Sequence, residues 1–584
     1  MKYRMSLVAL SIALMGSSGF VHASDMDKPD HEKKVHARTP IRHVIVIIGE
    51  NHSFDNVFGA YQPKHSEAIR NLLSEGIVNA DGTPGPNFSK ALQNQASDLN
   101  RYSLEPAITQ PFPYLPQPQT TYAFGQPPGV PDARFPANLP SGPFQITRYV
   151  PYQNAYLGDP VHRFFQMWQQ VDGGKMDLFA WVDKTVGIGP QNSPPAPTPA
   201  NTYSGGEALG FYNMSAGDVP EFKALADRYA ISDNYHQFVM GGTGANFISI
   251  ASADVAFHNQ NGAPDMPPAN QIENPDPQPG TNNFYIQDGY GGGSYVDCAD
   301  SSQPGVSQIR NYVRSQPGRT FRGGNCAPRT YYLLNNYAPG YTPSGELNPL
   351  GPTHFTLPPQ YMPTIADALS AKGVSWKWYS GGRADGVNPT NQYCNICDPF
   401  TFFKSVMTGP MKSNLQDVTQ FYQDVQDEST LPAVSFIRPF ESQAGHPADS
   451  TLSAYEGFVM DIINRVKSDR KAWESTAIII TTDEGGGYYD SGYIQPIDFF
   501  GDGTRIPLIV VSPYAKKGHV DHVYADHASI LKFIEKNWDL KPLSHRSRDS
   551  LPNPVASDDN PYVPLNKPAL GDLMNMFDFE HDRR

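Results

Sequence analysis

The chain has 584 residues, of which 17% are charged, and a net charge of −14 at pH 7. This length allows a large buried core and is typical of several domains or of one fold with long insertions. The acidic balance argues against a nucleic acid as the main partner. It does not exclude a phosphate-containing substrate, because a bound metal ion can reverse the field inside one pocket.

The first 23 residues have the composition of a secretory signal. Lys2 and Arg4 precede an apolar run, and Val21 and Ala23 stand where a leader peptidase accepts small residues. The run is too short for a stable membrane span, and no other stretch is comparably apolar. We therefore expect residues 24–584 to form a periplasmic or secreted protein without a transmembrane segment. Its net charge would be −16, because the signal carries two basic residues and no acidic ones.

The four cysteines allow two disulfides in an oxidising compartment. Cys298 and Cys326 lie in one glycine-rich region, and we expect them to pair. Cys394 and Cys397 form a CxxC motif in a stretch that reads as a loop. A thioredoxin-like role would need a βαβ context, and a zinc site would need a second ligand pair, which the sequence does not offer. A local disulfide or another structural pair is the favoured interpretation.

Proline is abundant, with 55 residues, and it is concentrated at 111–140, 190–199 and 264–280. Such stretches cannot lie inside a helix or a central strand. They predict surface insertions at about 80–160, 189–205 and 260–350 within a single domain that spans 24–584. The interspersed aromatic residues favour ordered segments over disordered linkers.

Between these insertions, predicted strands alternate with predicted helices. The strands are short, almost wholly apolar runs, as expected when helices cover both faces of a parallel sheet: 43–49, 433–439, 477–483 and 506–513. The helices are predicted at 219–230, 362–373, 452–473 and 527–538. In the third helix Tyr455, Phe458, Ile462 and Val466 recur at helical spacing and should form a core stripe. The pattern predicts an α/β/α sandwich with a mostly parallel central sheet.

Two of the predicted strands run directly into acidic or amide side chains. Glu50 and Asn51 follow the first strand, and Asp483 and Glu484 follow the third. Ligands of open parallel sheets bind beyond the carboxyl ends of the strands, so these four side chains should meet at one edge. Burying three carboxylates without a partner is costly, which favours a divalent cation held by all four residues. The alternative is that each pair only caps the helix that follows it.

Thr243 is a candidate nucleophile. It follows two glycines and precedes a helix-forming stretch, so its hydroxyl would lie where backbone N–H groups favour negative charge. A neighbouring metal ion would lower the pKa of that hydroxyl further. The simpler alternative is an ordinary helix N-cap.

Three histidines stand in polar segments beside the predicted core: His162, His446 and His527. His446 follows the strand at 433–439 and should share an edge with the carboxylates, which makes it the best candidate for an acid or for a hydrogen-bond donor to the transition state. Asp526 can cap the helix that begins at His527, so a structural role for that pair is also open.

The sequence contains no P-loop, no HExxH zinc helix and no GxSxG motif. Three segments instead resemble a bacterial phosphoesterase family that includes secreted phospholipases C and periplasmic acid phosphatases, within the alkaline-phosphatase-like superfamily. They are "IRHVIVIIGENHSFDNVFG", "TTDEGGGYYD" and "RIPLIVVSPYAKKGHVDHVYADHASILKFIEKNW".

The resemblance implies that Glu50, Asn51, Asp483 and Glu484 are metal-site residues and that Thr243 is a transiently phosphorylated nucleophile. His162 and His446 resemble the family's histidines that contact the phosphoryl group or the leaving oxygen. Two other family histidines are missing, because Cys397 and Asp398 precede Pro399, and Ser491 follows Asp490. Transfer of the family's leaving-group chemistry and substrate choice is therefore open.

These observations predict a metal-dependent phosphoesterase, of the acid-phosphatase kind because the chain ends soon after its last predicted helix. The number of ions and their identity stay open, since oxygen ligands suit several divalent metals. A phospholipase C that cleaves phospholipid diesters is the alternative enzyme. A metal- or phosphate-binding protein without turnover is the alternative from another class, and the missing histidines motivate it.

Overall fold

A computed structural model of the protein describes residues 36–97, 101–119, 131–155, 158–185, 205–276, 293–317 and 324–580. All of them belong to one compact unit that extends from His36. The predicted signal at 1–23 lies outside the described residues, and so do 189–204 of the second predicted insertion. Among the described helices, none combines the length and the apolar composition that crossing a bilayer requires.

The central sheet has eight strands in the order β4-β3-β5-β1-β6-β7-β2-β8. Their bounds are β1 His43–Gly49, β2 Ala230–Ser232, β3 Trp376–Ser380, β4 Leu415–Asp417, β5 Val434–Arg438, β6 Thr476–Thr482, β7 Leu508–Val511 and β8 Val520–Asp521. All neighbouring pairs are parallel except those made by β7, which runs antiparallel to both β6 and β2. The mostly parallel sheet is therefore confirmed, and the direction of β7 is the departure from it.

The helices are α1 Phe54–Phe58, α2 Phe164–Val171, α3 Phe179–Thr185, α4 Pro220–Ala226, α5 Thr243–Ser252, α6 Val306–Ser315, α7 Ile365–Lys372, α8 Lys404–Met407, α9 Val418–Asp424, α10 Leu452–Ser468, α11 Arg470–Trp473 and α12 His527–Trp538. Helix α4 packs against α10, whereas α5 packs against both α12 and α7. Two separate helical groups of this kind are what a sheet covered on both faces requires.

Short two-stranded ladders occur outside the main sheet. They pair Asn94–Ala96 with Ile108–Pro111, Phe144–Gln145 with Gly210–Phe211, Tyr235–His236 with Ala525–Asp526, Asn259–Gln260 with Ala263–Pro264, and Tyr295–Val296 with Tyr332–Leu333. In the first proline-rich stretch, Phe112, Leu115 and Phe135 are buried. Aromatic and aliphatic side chains thus attach the described part of that stretch to the core.

The predicted strands and helices agree with the structure to within a few residues, and the misses have physical causes. The helix predicted at 219–230 ends at Ala226, because the chain turns there and enters β2 at Ala230. The helix predicted at 452–473 divides at Asp469, whose side chain caps the short α11. The four residues of the predicted stripe on α10 are all buried: Tyr455, Phe458, Ile462 and Val466.

Both expected disulfides are present, Cys298–Cys326 and Cys394–Cys397. The first closes a loop of the third insertion. The second lies within the segment that precedes Pro399.

Candidate active site

The ends of β1 and β6 lie side by side at one edge of the sheet. These two strands are parallel neighbours in a register that pairs Gly49 with Thr482, so the residues that follow them emerge together. The Asn51 backbone N–H donates to Oδ1 of Asp483 at 3.3 Å, and the Asp483 N–H donates to the Gly49 carbonyl at 3.0 Å. Glu50, Asn51, Asp483 and Glu484 are all at least 98% buried. The structure thus brings the four predicted ligands together.

Glu50 is paired with a buried arginine. Nε of Arg438, at the end of β5, donates to Oε1 of Glu50 at 2.8 Å, and the Nη2 group contacts the same oxygen. Arg438 also pairs with Glu441 at 2.6 Å. Burial raises the pKa of Glu50 and the Arg438 charge lowers it, with a net upward direction. The ion pair therefore offsets only part of the cost of burying this carboxylate.

Among the described residues, no arginine or lysine pairs with Asp483 as Arg438 pairs with Glu50. Burial raises the pKa of Asp483 well above its ordinary value, and the charge of Glu50 raises it further. Among the described atoms, Oδ2 of Asp483 and Oδ1 of Asn51 are buried and have no hydrogen-bond partner. Two orphaned oxygens between repelling carboxylates are what a hard divalent cation would satisfy. The donor set therefore fits a divalent metal ion.

Thr243 contacts this group directly. It is the first residue of α5, and its hydroxyl donates to Oε1 of Glu484 at 3.2 Å. Gly242 occupies the N-cap position, and the Thr243 side chain is not used for capping, so the ordinary N-cap alternative is wrong. The hydroxyl instead lies between the positive end of a ten-residue helix and a buried carboxylate.

The glycines that follow Glu484 let three chain segments meet closely. A Cβ on Gly486, whose φ is +57°, would lie 2.6 Å from Cβ of Asn51. A Cβ on Gly487, whose φ is +73°, would lie 2.2 Å from the Val161 carbonyl oxygen. Side chains at these positions would push apart the segments that carry Asn51 and His162.

His446 acts on Asn51. Its Nδ1 donates to the Pro447 carbonyl, which leaves Nε2 as an acceptor 3.0 Å from Nδ2 of Asn51. This hydrogen bond holds the amide nitrogen of Asn51 toward the histidine and so fixes the amide whose Oδ1 is left without a partner among the described residues. In this arrangement Nε2 is engaged with Asn51, so His446 is placed to orient a candidate ligand.

The segment that carries His162 meets the group through its backbone. The ring is buried, Nδ1 donates to the Pro160 carbonyl at 2.7 Å, and Oδ1 of Asp159 lies 3.7 Å from Nδ1. The preceding carbonyl of Val161 abuts Gly487, which places this segment against the glycine motif.

His527 holds the Asp483 loop from the other side. Its Nε2 donates to the Asp483 carbonyl at 2.6 Å, and Nδ1 accepts from the Tyr235 hydroxyl at 2.9 Å. Burial lowers its pKa to about 4, so the ring is neutral. Asp526 caps α12 in a capping box with Ser529, which agrees with the structural role considered for this pair.

Sequence reasoning assigned no role to several residues that support the site. Arg438 is the main one, and a charged residue that ends a buried apolar strand is a signal that could have found it. Gln237 accepts the Gly485 N–H at 2.8 Å, and Asn336 accepts the Gly244 N–H at 2.7 Å. These two amides stand in irregular segments, where no spacing pattern marks them.

The fold and the site together define a class: a mostly parallel α/β protein with a buried acidic edge and a hydroxyl nucleophile candidate at a helix start. The profile of the Phosphoesterase family matches residues 41–541, and the chain belongs to that family. The family resemblance seen in the sequence is thus confirmed.

Curated relatives include both phospholipases and phosphatases. The chain is 23% identical over 419 residues to the hemolytic phospholipase C of Pseudomonas aeruginosa, covering 64% of this chain and 43% of the relative. It is 30% identical over 250 residues to the non-hemolytic phospholipase C of Burkholderia pseudomallei, with coverages of 37% and 33%. A probable acid phosphatase of Kluyveromyces lactis is 28% identical over 234 residues, with coverages of 38% and 53%. The matches thus span about a third to a half of these relatives.

Among solved structures, the chain is similar to an alkaline phosphatase superfamily protein from Vibrio parahaemolyticus, with 8% identity, a TM-score of 0.25 and coverages of 56% of this chain and 62% of that chain. The fold assignment rests on the sheet itself.

Proposed function

We propose that the protein is a metal-dependent phosphoesterase that hydrolyses phosphomonoesters through a phosphothreonine at residue 243. One observation carries the proposal: the Thr243 hydroxyl donates to Glu484 at 3.2 Å, in contact with the buried acidic edge that Glu50 and Asp483 complete. Family membership supports hydrolysis of a phosphoric ester.

Thr243 would attack the phosphorus atom. Its proton already points at a carboxylate oxygen of Glu484, and the N-terminus of α5 favours the negative charge of the phosphoryl oxygens. Attack forms the Thr243 Oγ1–phosphorus bond and breaks the bond from phosphorus to the leaving oxygen. Water then attacks the same phosphorus atom, releases inorganic phosphate and restores the hydroxyl.

Glu50, Asn51, Asp483 and Glu484 would hold the cation, one or two ions in number. When bound, a divalent cation neutralises the carboxylates, binds a phosphoryl oxygen and lowers the pKa of a neighbouring hydroxyl. The chain's own contribution is to fix the donors before binding. Arg438 fixes Glu50, and His446 fixes the amide of Asn51.

The leaving oxygen needs a proton, and His162 is our candidate for its donor. With Nδ1 fixed on the Pro160 carbonyl, Nε2 is the nitrogen that can take up and deliver a proton. His446 would position Asn51, and its predicted role as an acid or a hydrogen-bond donor to the transition state stays a prediction.

A phospholipase C activity is the second candidate, because the P. aeruginosa and B. pseudomallei relatives are phospholipases C. A phosphodiester needs room for a second substituent beside the phosphorus, so the two activities separate on paired substrates. We further propose that the protein works in the periplasm or outside the cell. Two disulfides among the described residues support an oxidising compartment.

The test uses p-nitrophenyl phosphate, bis-p-nitrophenyl phosphate and phosphatidylcholine vesicles with chelator-treated and metal-reloaded protein. We expect hydrolysis of the monoester to require added divalent metal, and Thr243→Ala to lose at least about 1,000-fold in kcat. Higher kcat/KM on the diester or on the vesicles would favour the phospholipase. Tight metal binding without turnover of any of the three would favour a binding protein and contradict the enzyme.

A further inference from the structure

The Cys394–Cys397 disulfide lies against a candidate ligand of the catalytic site. Sγ of Cys397 is 3.2 Å from Oε1 of Glu50, and both side chains are buried. Sγ of Cys394, Sγ of Cys397 and a carboxylate oxygen of Glu50 all lie within 4.8 Å of one another. The sequence offered only two zinc-type ligands at this motif, and the fold supplies the third.

We propose that reduction of this disulfide creates a second metal site, in which the two thiolates and Glu50 bind a soft divalent cation such as Zn²⁺. The CxxC spacing is that of structural zinc sites. A tetrahedral zinc ion with Zn–S bonds of about 2.3 Å holds its sulfurs about 3.8 Å apart. Once the S–S bond is broken, the two Sγ atoms need only move apart to that separation.

The loop is held in place independently of the disulfide. Asp398 follows Cys397, and its carboxylate accepts from the Tyr393 hydroxyl at 2.8 Å and from Arg383. Tyr393 immediately precedes Cys394, so this hydrogen bond closes the segment on both sides of the motif. The Asp398 carbonyl also accepts from the Thr401 hydroxyl at 2.6 Å. Opening the S–S bond therefore leaves both sulfurs near Glu50.

The charges of the reduced site are largely offset. Two thiolates and Glu50 carry three negative charges, a divalent cation supplies two positive ones, and the Arg438 guanidinium, which binds Glu50 at 2.8 Å and also pairs with Glu441, offsets part of the third. Thiolate ligands also select zinc or cadmium over magnesium or calcium, in contrast to the oxygen donors around Asp483. The two sites thus differ in the metals that they prefer.

The redox step needs a dithiol reductant, to which the half-buried Cys394 gives access. The dithiol supplies two electrons and two protons, the S–S bond breaks, two thiols form, and the reductant becomes a disulfide. Binding of Zn²⁺ then releases the two thiol protons. Because Glu50 belongs to both sites, zinc binding here is expected to lower the hydrolytic activity, a consequence that rests on the proposed function.

The test compares oxidised protein with protein reduced by a water-soluble phosphine, both freed of metal. Equilibrium dialysis against Zn²⁺ should show one additional zinc per chain after reduction, and Cd²⁺ should give an ultraviolet sulfur-to-metal band. The double variant Cys394→Ala/Cys397→Ala is the matched control, because its Cys298–Cys326 pair is reduced equally. It should show neither the additional zinc nor the cadmium band. Glu50→Gln should weaken the additional zinc at least about 10-fold.

No additional zinc in the reduced wild type would overturn the proposal, and so would an equal gain in the double variant. Undiminished affinity in Glu50→Gln would overturn the assignment of the third ligand. If the double variant fails to fold, Cys394→Ala alone removes one half-buried ligand and should lose the additional zinc and weaken the cadmium band. Bound Zn²⁺ should also protect Cys394 and Cys397 from alkylation by iodoacetamide, and this protection can be measured independently of activity.

Discussion

Arg438 and Glu50 form a buried ion pair between the ends of two neighbouring parallel strands, with Nε of Arg438 2.8 Å from Oε1 of Glu50. Removing Arg438 leaves the Glu50 carboxylate buried near the negative charge of Asp483 and without the positive charge that offsets it. We expect Arg438→Met to lower the free energy of unfolding by about 3–5 kcal/mol, measured by urea unfolding. Arg465→Met is the matched control, since Arg465 is 39% exposed and pairs with Asp461 at 2.8 Å on the surface of α10. It should cost less than about 1 kcal/mol, and equal losses would show that the buried pair is unimportant.

The His446–Asn51 hydrogen bond should control metal affinity. His446→Ala frees the Asn51 amide to rotate, and we expect cation affinity to fall about 10–100-fold in calorimetric titrations. Asn51→Ala should lower the affinity as well, and the double variant should lose little more than Asn51→Ala alone, because His446 acts through Asn51. His545→Ala, at an exposed position, is the control. Fully additive losses would mean that His446 acts on the cation by another route.

Gly487→Ala should lower activity by displacing the segment that carries His162. A Cβ at residue 487 would lie 2.2 Å from the Val161 carbonyl, so Gly487→Ala must displace the backbone next to His162. We expect a loss of at least about 10-fold in kcat on the phosphomonoester. Gly217→Ala is the control, because Gly217 also has a positive φ, +101°, and a Cβ there would have nothing within 4 Å. It should cost about 1 kcal/mol of stability and leave kcat unchanged. An unchanged kcat in Gly487→Ala would show that the position of the segment that carries His162 does not affect catalysis.

Stability should fall as pH rises, in part because of Glu456. Its carboxylate accepts from the Tyr152 hydroxyl at 2.8 Å and from the Phe222 N–H at 2.7 Å, and burial raises its pKa to about 7. A carboxyl pKa raised in the folded state contributes stability that is present below its ordinary pKa and is lost as pH rises through 7.

Between pH 5 and pH 8, Glu456→Gln should therefore lose about 1–3 kcal/mol less unfolding free energy than the wild type. Glu474→Gln, at a side chain that is 55% exposed, should follow the wild-type slope. Parallel slopes for all three proteins would contradict the assignment to Glu456.

The sequence was informative where the fold repeats simple patterns. The runs at 43–49 and 477–483 are almost wholly apolar, and parallel strands release their next residues at one edge, so the meeting of Glu50 with Asp483 was predictable. The direction of β7 was not, because an apolar run reads the same in both directions. The Arg438 pair, the His446 orientation and the closeness of Cys397 to Glu50 depend on three-dimensional packing between residues hundreds of positions apart. The bounds of the single domain and the roles of the site residues stay predictions.

The central claim is that Thr243 receives the phosphoryl group, and trapping the covalent form tests it most directly. Wild-type protein with its metal restored is mixed with a phosphomonoester, quenched in acid within one turnover and mapped by peptide mass spectrometry. The account predicts one added phosphoryl group on Thr243 and none in Thr243→Ala, while Thr243→Ser carries it on the serine. Phosphate on another residue, or near wild-type turnover in Thr243→Ala, would contradict it.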